Sequence, residues 1–303
     1  QTQETAVDLI NARLRDIRFN APAGQHRIAI AFVNRASIES EYCGWFIPQL
    51  SLAWAKVLEG PQGLLTTWRL PEVTPQQDFF ARRVLPLLDG NVKRVFVLIS
   101  DALRYEVAQE LAQHINSKNR FKATLGGMLG VLPSYTALGM AALLPHQTLA
   151  YKEGTHLEVL ADGHSVATLE QRSDHLKAFG GLAVKAEDLM ALGKEKGREL
   201  VREQRLIYIY HDRIDSTGDK QVSETKTFEA AAQTVQELAQ VLGFVLNSLN
   251  GSTVLVTADH GFMYQESALD VADKASLDDK PAGTLTAKKR YLLGRDLGDS
   301  GKA

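Results

Sequence analysis

Between residues 91 and 260 the chain alternates short, unbroken apolar runs with longer amphipathic stretches. Val95–Ile99 is continuous and rich in β-branched residues, the pattern of a strand buried on both faces. Leu103, Val107, Leu111 and Ile115 follow at four-residue steps and predict a helix with one apolar stripe. "KATLGGMLGVLP" predicts a second strand region, which opens into a helix at "SYTALGMAALLP". Leu206–Tyr210 ("LIYIY") and Thr253–Thr257 ("TVLVT") predict a third and a fourth strand. Phe228, Ala231, Val235, Leu238, Leu242, Val245 and Leu249 alternate three- and four-residue steps, a long helix stopped at Asn250–Gly251. This rhythm predicts an α/β fold with a mainly parallel sheet flanked by helices.

Both flanks differ from this core. Residues 1–90 predict a mainly helical N-terminal region. Val7, Ile10, Leu14 and Ile17 keep a helical period, and "YCGWFIPQLSLAWAKVLEG" and "PQQDFFARRVLPLL" read as further helices. "HRIAIAFVNRAS" is ambiguous between strand and helix. Residues 151–204 break the alternation and are expected to form an insertion or cap. There "EVLADGHSVATLE" places two short alternating runs around Asp162–Gly163, a hairpin signal, and polar helices follow. The core is thus expected in residues 91–150 and 205–303, with a polar, loop-rich final segment.

Composition narrows the function classes. Of 303 residues 45% are hydrophobic and 23% charged, an ordinary globular balance. A net charge of −2 excludes a general polyanion coat. DNA contact would need a local patch, for which Lys280, Lys288, Lys289 and Arg290 are the candidates, or a metal. One cysteine, Cys43, excludes an intrachain disulfide and fits a reducing cytoplasm, with a small apolar packing role. No signal peptide and no membrane-spanning apolar run is visible, so no membrane partner is expected. The chain begins "QTQETAVDL" and stops at "GRDLGDSGKA", and both ends are expected to be cut.

The chemistry gathers at strand ends. Asp101 follows the first strand, where it could cap a helix or hold a metal at the ligand-binding edge of a parallel sheet. "TVLVT" runs into Asp259 and His260, and "LIYIY" into His211, Asp212, Asp215 and Asp219. Carboxylates converging on one edge repel unless a cation neutralises them, and a mixed carboxylate–imidazole set suits zinc or manganese. Thr136, after Pro133, starts a predicted helix whose free N–H groups attract phosphate. A hydroxyl there needs a base or a metal to act as a nucleophile. Competing folds fail on spacing: the haloacid-dehalogenase pattern would need Asp where Leu103 stands. No G-x-x-x-x-G-K-[ST] or G-x-G-x-x-G stretch exists, and a receiver domain would leave Asp259–His260 unexplained.

Taken together, "VFVLISDALRYEVAQEL", "LPSYTALGMAALLP", "LIYIYHDRIDSTGD" with "SETKTFEAA", and "VLVTADHGFMY" resemble the PglZ proteins of BREX phage-defence systems. The resemblance covers roughly residues 40–290, with the four motifs in the family's order. It implies an alkaline-phosphatase-like domain with up to two divalent ions, zinc first and manganese second. Asp101, Thr136, Asp259 and His260 would surround one metal, with Thr136 the nucleophile. Asp215 would ligate the second metal together with Asp219, which stands where many members have His. His211 is a further candidate ligand, though no family motif makes it one. The superfamily draws another His for the second metal from a later segment, and no His follows His260. The α/β core is therefore expected to be C-terminally incomplete, with one metal held well and the second poorly. Arg104, Lys289 and Arg290 are candidate phosphate contacts. The implied activity is a metal-dependent phosphodiesterase, phosphatase or nuclease. The alternative is a catalytically silent scaffold within the BREX complex. The implied partners are other BREX subunits, a small BrxB-type subunit and a methyltransferase.

Overall fold

The computed structural model describes residues 40–59, 63–90, 92–118, 120–154, 156–218, 227–262, 280–288 and 291–297. The expectations for Val7–Ile17 and "HRIAIAFVNRAS", and for Asp219, Lys289 and Arg290, lie outside the described residues. The chain divides into two units, Gln1–Trp68 with Gln265–Ala268, and Arg69–Tyr264 with Leu269–Ala303. In the first, helix α1 (Ile47–Leu58) has Pro48 in its first turn, where the missing N–H leaves no intrahelical bond unmade. Trp54 of α1 meets Trp68 edge-on, ring centres 6.4 Å apart.

The second unit carries the chemistry. It opens with β1 (Thr74–Pro75) and β2 (Val95–Ser100), then α2 (Tyr105–Ser117), β3 (Met128–Leu129) and α3 (Thr136–Leu143). Next come β4 (Leu149–Lys152), β5 (Glu158–Ala161), β6 (His164–Ser165), α4 (Leu169–Lys177), β7 (Gly181–Lys185) and α5 (Ala186–Val201). β8 (Leu206–His211), α6 (Arg213–Gly218), α7 (Thr227–Ser248) and β9 (Val254–Thr257) complete the core, followed by β10 (Thr284–Ala287) and β11 (Leu292–Gly294).

Four of these strands form one sheet in the order β7-β8-β2-β9, and every pair in it is parallel. All six residues of β2 are buried, which is why this strand reads as an unbroken apolar run. Side chains alternate between the faces of a strand. Val95, Val97 and Ile99 accordingly pack with Tyr208, Tyr210 and the apolar length of α3. Phe96 and Leu98 pack with Ile207, Ile209 and the buried stripes of α2, α5 and α7. The sheet is thus covered by helices on both faces.

Two sequence expectations need correction. β7 lies within residues 151–204, yet it is a strand of the main sheet, paired with β8 from Gly181–Leu206 to Lys185–Tyr210. Only β4, β5 and β6 form a separate three-stranded antiparallel sheet. Five residues of mixed polarity, "GLAVK", carry too short a pattern to be told from an insertion strand. "KATLGGMLGVLP" yields only two-residue β3, paired with β1 rather than with the main sheet. Its three glycines and Pro133 weaken a strand that the apolar residues alone suggest. The hairpin at Asp162–Gly163 forms as expected, with both residues at positive φ (48° and 80°) between β5 and β6. The polar tail also holds an antiparallel pair, β10 with β11.

Candidate active site

Register brings the acids together. β2 and β9 run in parallel with Ile99 beside Thr257, so two residues further on Asp101 stands level with Asp259. β2 and β8 align Ser100 with His211, and the Asp101 N–H donates to the His211 carbonyl at 2.7 Å. Ala102 then takes a left-handed turn, φ 60°. Its N–H donates to Asp259 Oδ1 at 3.2 Å. A non-glycine residue held there costs on the order of 1–3 kcal/mol, a strain that clusters at functional sites.

One oxygen of each acid is left without a partner. Asp101 Oδ1 and Asp259 Oδ2 are buried and accept no hydrogen bond. Both face His260 Nε2, at 3.5 Å and 3.4 Å. Asp101, Asp215 and His260 each offer a ligand atom, all within 4.8 Å of one another. Burial first, then the charges of Asp259 and Asp215, pushes the Asp101 carboxyl up to about 9. Burial also raises Asp259, against the pull of His260. Two buried, mutually repelling carboxylates with orphaned oxygens beside an imidazole form a donor set that fits a divalent cation.

Thr136 opens α3 on the other side of this cluster. Its Oγ1 lies 2.9 Å from His260 Nε2. Nδ1 of His260 is 2.8 Å from the Gly261 carbonyl, an acceptor only, so Nδ1 carries a proton, and in the neutral ring Nε2 presents its lone pair. That lone pair can take either a hydroxyl proton or a metal ion. Helix α3 is held close by an absent side chain. A Cβ on Gly139 would stand 2.4 Å from the Asp259 carbonyl oxygen, closer than any real contact. From the sheet below, the Tyr208 hydroxyl donates to the Leu143 carbonyl at 2.7 Å, satisfying an otherwise open group at the helix end.

Other predicted residues are placed differently. His211 is committed elsewhere: Nδ1 lies 3.1 Å from Ser100 Oγ, and Nε2 2.9 Å from Glu237 Oε2 on α7. Burial alone would raise the Glu237 carboxyl, but hydrogen bonds from Arg213 and His211 outweigh it and hold the group below its ordinary range. A strand-end His beside acids gives no sign in sequence that it faces a helix rather than the cluster. Arg104 pairs with Glu106 at 2.7 Å and lies over the Phe262 ring at 4.8 Å, next to Gly261. Lys280 and Lys288 are exposed.

Sequence reasoning misses Gln76 altogether. It is 3% exposed. Its Nε2 donates to the carbonyls of Ala258 (3.0 Å) and Asp259 (2.7 Å), and its Oε1 accepts from the Val131 N–H (3.0 Å). Gly139 and Tyr208 are missed as well. A glycine inside an apolar helix is the one visible signal among the three.

The same chain can be compared with known proteins. The family model for the "BREX system PglZ alkaline phosphatase-like domain" matches residues 79–303, most of the sequence. The chain belongs to the PglZ family. Its core is therefore an alkaline-phosphatase-like α/β domain, as the parallel sheet and its helical layers indicate. It is 46% identical over 261 residues to the alkaline phosphatase-like protein BrxZ of Escherichia coli O9:H4 (strain HS), covering 86% of this chain and 30% of that protein. It is 34% identical over 263 residues to the alkaline phosphatase-like protein PglZ of Bacillus cereus (strain H3081.97), covering 86% of this chain and 30% of that protein. The chain thus spans about a third of the length of these curated relatives. No described helix of this PglZ domain is long and apolar enough to cross a membrane.

Proposed function

We propose that this PglZ domain is the catalytic part of a metal-dependent phosphoryl hydrolase, a phosphodiesterase or nuclease acting in BREX anti-phage defence. The observation that carries the reading is Thr136 Oγ1 at 2.9 Å from His260 Nε2, beside two buried carboxylates with unpartnered oxygens. Asp101, Asp259 and His260 would hold one divalent ion, zinc first and manganese second. Asp215 lies close enough to share it, and with Asp219 would serve a second ion. A bound ion supplies charge neutralisation and Lewis acidity toward a phosphoryl oxygen.

The protein's own groups do the rest. The first turn of α3, which has no side-chain cap, would offer backbone N–H groups to orient a phosphoryl group toward Thr136. The hydroxyl gives up its proton to solvent and its oxygen attacks phosphorus, forming a Thr136–phosphoryl ester as the bond to the leaving oxygen breaks and that oxygen takes a proton from solvent to depart as the alcohol. Water then cleaves that ester and restores the hydroxyl. Gly261 fixes the imidazole tautomer throughout. The BREX system in the family's description supports other BREX subunits as partners, and a defence role makes a DNA phosphodiester the first substrate to test.

The test uses the full-length protein that carries this domain, a chromogenic phosphodiester, and zinc or manganese. Thr136→Ala should lower turnover by several orders of magnitude while metal uptake and assembly with partner subunits persist. Turnover unchanged by Thr136→Ala removes Thr136 as nucleophile. A wild type inert with every metal and phosphoester, yet normally assembled, establishes the scaffold alternative instead.

A further inference from the structure

A nucleophile on one helix and ligands on a distant strand end keep their spacing only if something buried ties the two segments together. In this chain the two segments are the loop from β3 to α3, which carries Thr136, and the residues after β9, which carry Asp259 and His260. One residue from outside the site reaches both backbones: Gln76 stands three positions before the segment matched by the family model, which starts at residue 79.

Its amide is used in full. Nε2 donates two hydrogen bonds, to Ala258 O (3.0 Å) and Asp259 O (2.7 Å), and Oε1 accepts one from Val131 N–H (3.0 Å). Only an amide can donate to two carbonyls and accept from an N–H at the same place. The segment around it is itself fixed, since Thr74 and Pro75 pair with Met128 and Leu129. Arg83 also donates to Thr74 Oγ1 at 2.9 Å. The Asp259 peptide is therefore gripped from two directions, by the Gln76 amide and by the bare backbone of α3 at Gly139. A shift of that peptide would carry the Asp259 carboxylate and the His260 ring away from Thr136.

We propose that Gln76 is a positioning residue that locks the Asp259–His260 peptide to the Thr136 loop and so sets the spacing of nucleophile and metal ligands. It touches no reacting atom; it acts through the backbone of residues that do. The proposal rests on the hydrolase reading for what the site is, and on the three hydrogen bonds for how it is held. Residues of this kind, one layer out from the ligands, typically change metal affinity by about 10–100-fold when lost.

Two variants test it. Gln76→Glu keeps the shape but turns an oxygen toward two carbonyls, and Gln76→Met fills the space with no polar atom. Both are measured under conditions where circular dichroism shows them folded. Zinc affinity is read by competition with a chromogenic chelator, and the ring-nitrogen resonances of His260 are read in the metal-free protein. We expect zinc affinity to fall about tenfold or more and the His260 resonances to move, because the Thr136 hydrogen bond at Nε2 is lengthened. Wild-type zinc affinity in both variants overturns the proposal. If the wild type itself takes up no zinc, the metal reading fails by that result. The resonances then decide for Gln76: moved, it is upheld; unmoved, it is overturned.

Discussion

At the scale of single residues, the site is defined by what it leaves unsatisfied. Asp101 and Asp259 are placed by strand register, and each keeps a buried oxygen with no donor. A fold that selected only for stability would substitute a neutral residue at one of them. With the Asp101 carboxyl pushed up from 3.8 to about 9, chiefly by burial and then by Asp259, the native metal-free chain holds a proton that the unfolded chain releases. That contribution is complete below the ordinary carboxylate range and is lost as pH rises from about 4 to about 9. Metal-free protein should therefore melt at lower temperature as pH rises through this window, and zinc affinity should rise over the same window because the ion displaces the proton. Asp259→Asn separates the two effects. Asn keeps an oxygen for the Ala102 N–H and removes one charge, so this variant should melt higher than wild type without metal near pH 8, roughly one unit below the raised value. It should also lose the zinc-induced rise in melting temperature. Thermal melts across pH, with and without zinc, check both, and a metal-free Asp259→Asn that melts below wild type contradicts the repulsion argument.

At the scale of elements, α3 is the piece whose placement matters most. It has to bring Thr136 to the acids while packing six consecutive buried residues, Leu138–Leu143, against the sheet. Gly139 makes the approach possible, because its missing Cβ is where the Asp259 carbonyl sits. Gly139→Ala would relieve intrinsic helix propensity by about 1 kcal/mol. The backbone-to-backbone clash reverses that gain, since overpacking that must move main chain costs about 1–3 kcal/mol. The variant should be destabilised overall and should lose zinc affinity and phosphodiester turnover together, as α3 is pushed off the Asp259 peptide. Chemical denaturation and a zinc titration measure this, and a stabilised, fully active Gly139→Ala would show that the contact is not needed. This element also marks where the sequence stops being informative. Strand and helix identities were readable because β2, β8 and α7 carry long, strongly patterned runs. Gln76, Gly139 and the turning of His211 toward Glu237 were not readable, because each depends on a contact between segments more than 25 residues apart.

At the scale of the whole molecule, topology converts separate segments into one edge. The parallel order β7-β8-β2-β9 sends the carboxyl ends of three adjacent strands, β8, β2 and β9, to the same side, and each of those ends is followed by an acid. That convergence was legible in the sequence once the strands were taken as parallel, since register adds only the final alignment of Asp101 with Asp259. The membership of β7 was not legible, because a short edge strand of mixed polarity differs little from an insertion strand. The same convergence limits how many ions the described residues can hold. Asp101, Asp215 and His260 form one cluster of mutually close ligand atoms, and Asp259 adds a carboxylate oxygen beside the His260 ring. His211, the remaining imidazole near this edge, has both ring nitrogens engaged by Ser100 and Glu237. The proposed second ion would rely on Asp215 with Asp219, and two carboxylates completed by water bind zinc weakly. Elemental analysis of this chain after extensive dialysis should thus find one zinc per molecule, and Asp259→Ala with His260→Ala should find none. Two ions retained per chain would make His211, once released from Glu237, the first candidate for the added ligand. His211→Ala would then return the count to one, whereas a count still at two would place the second site on residues outside this cluster.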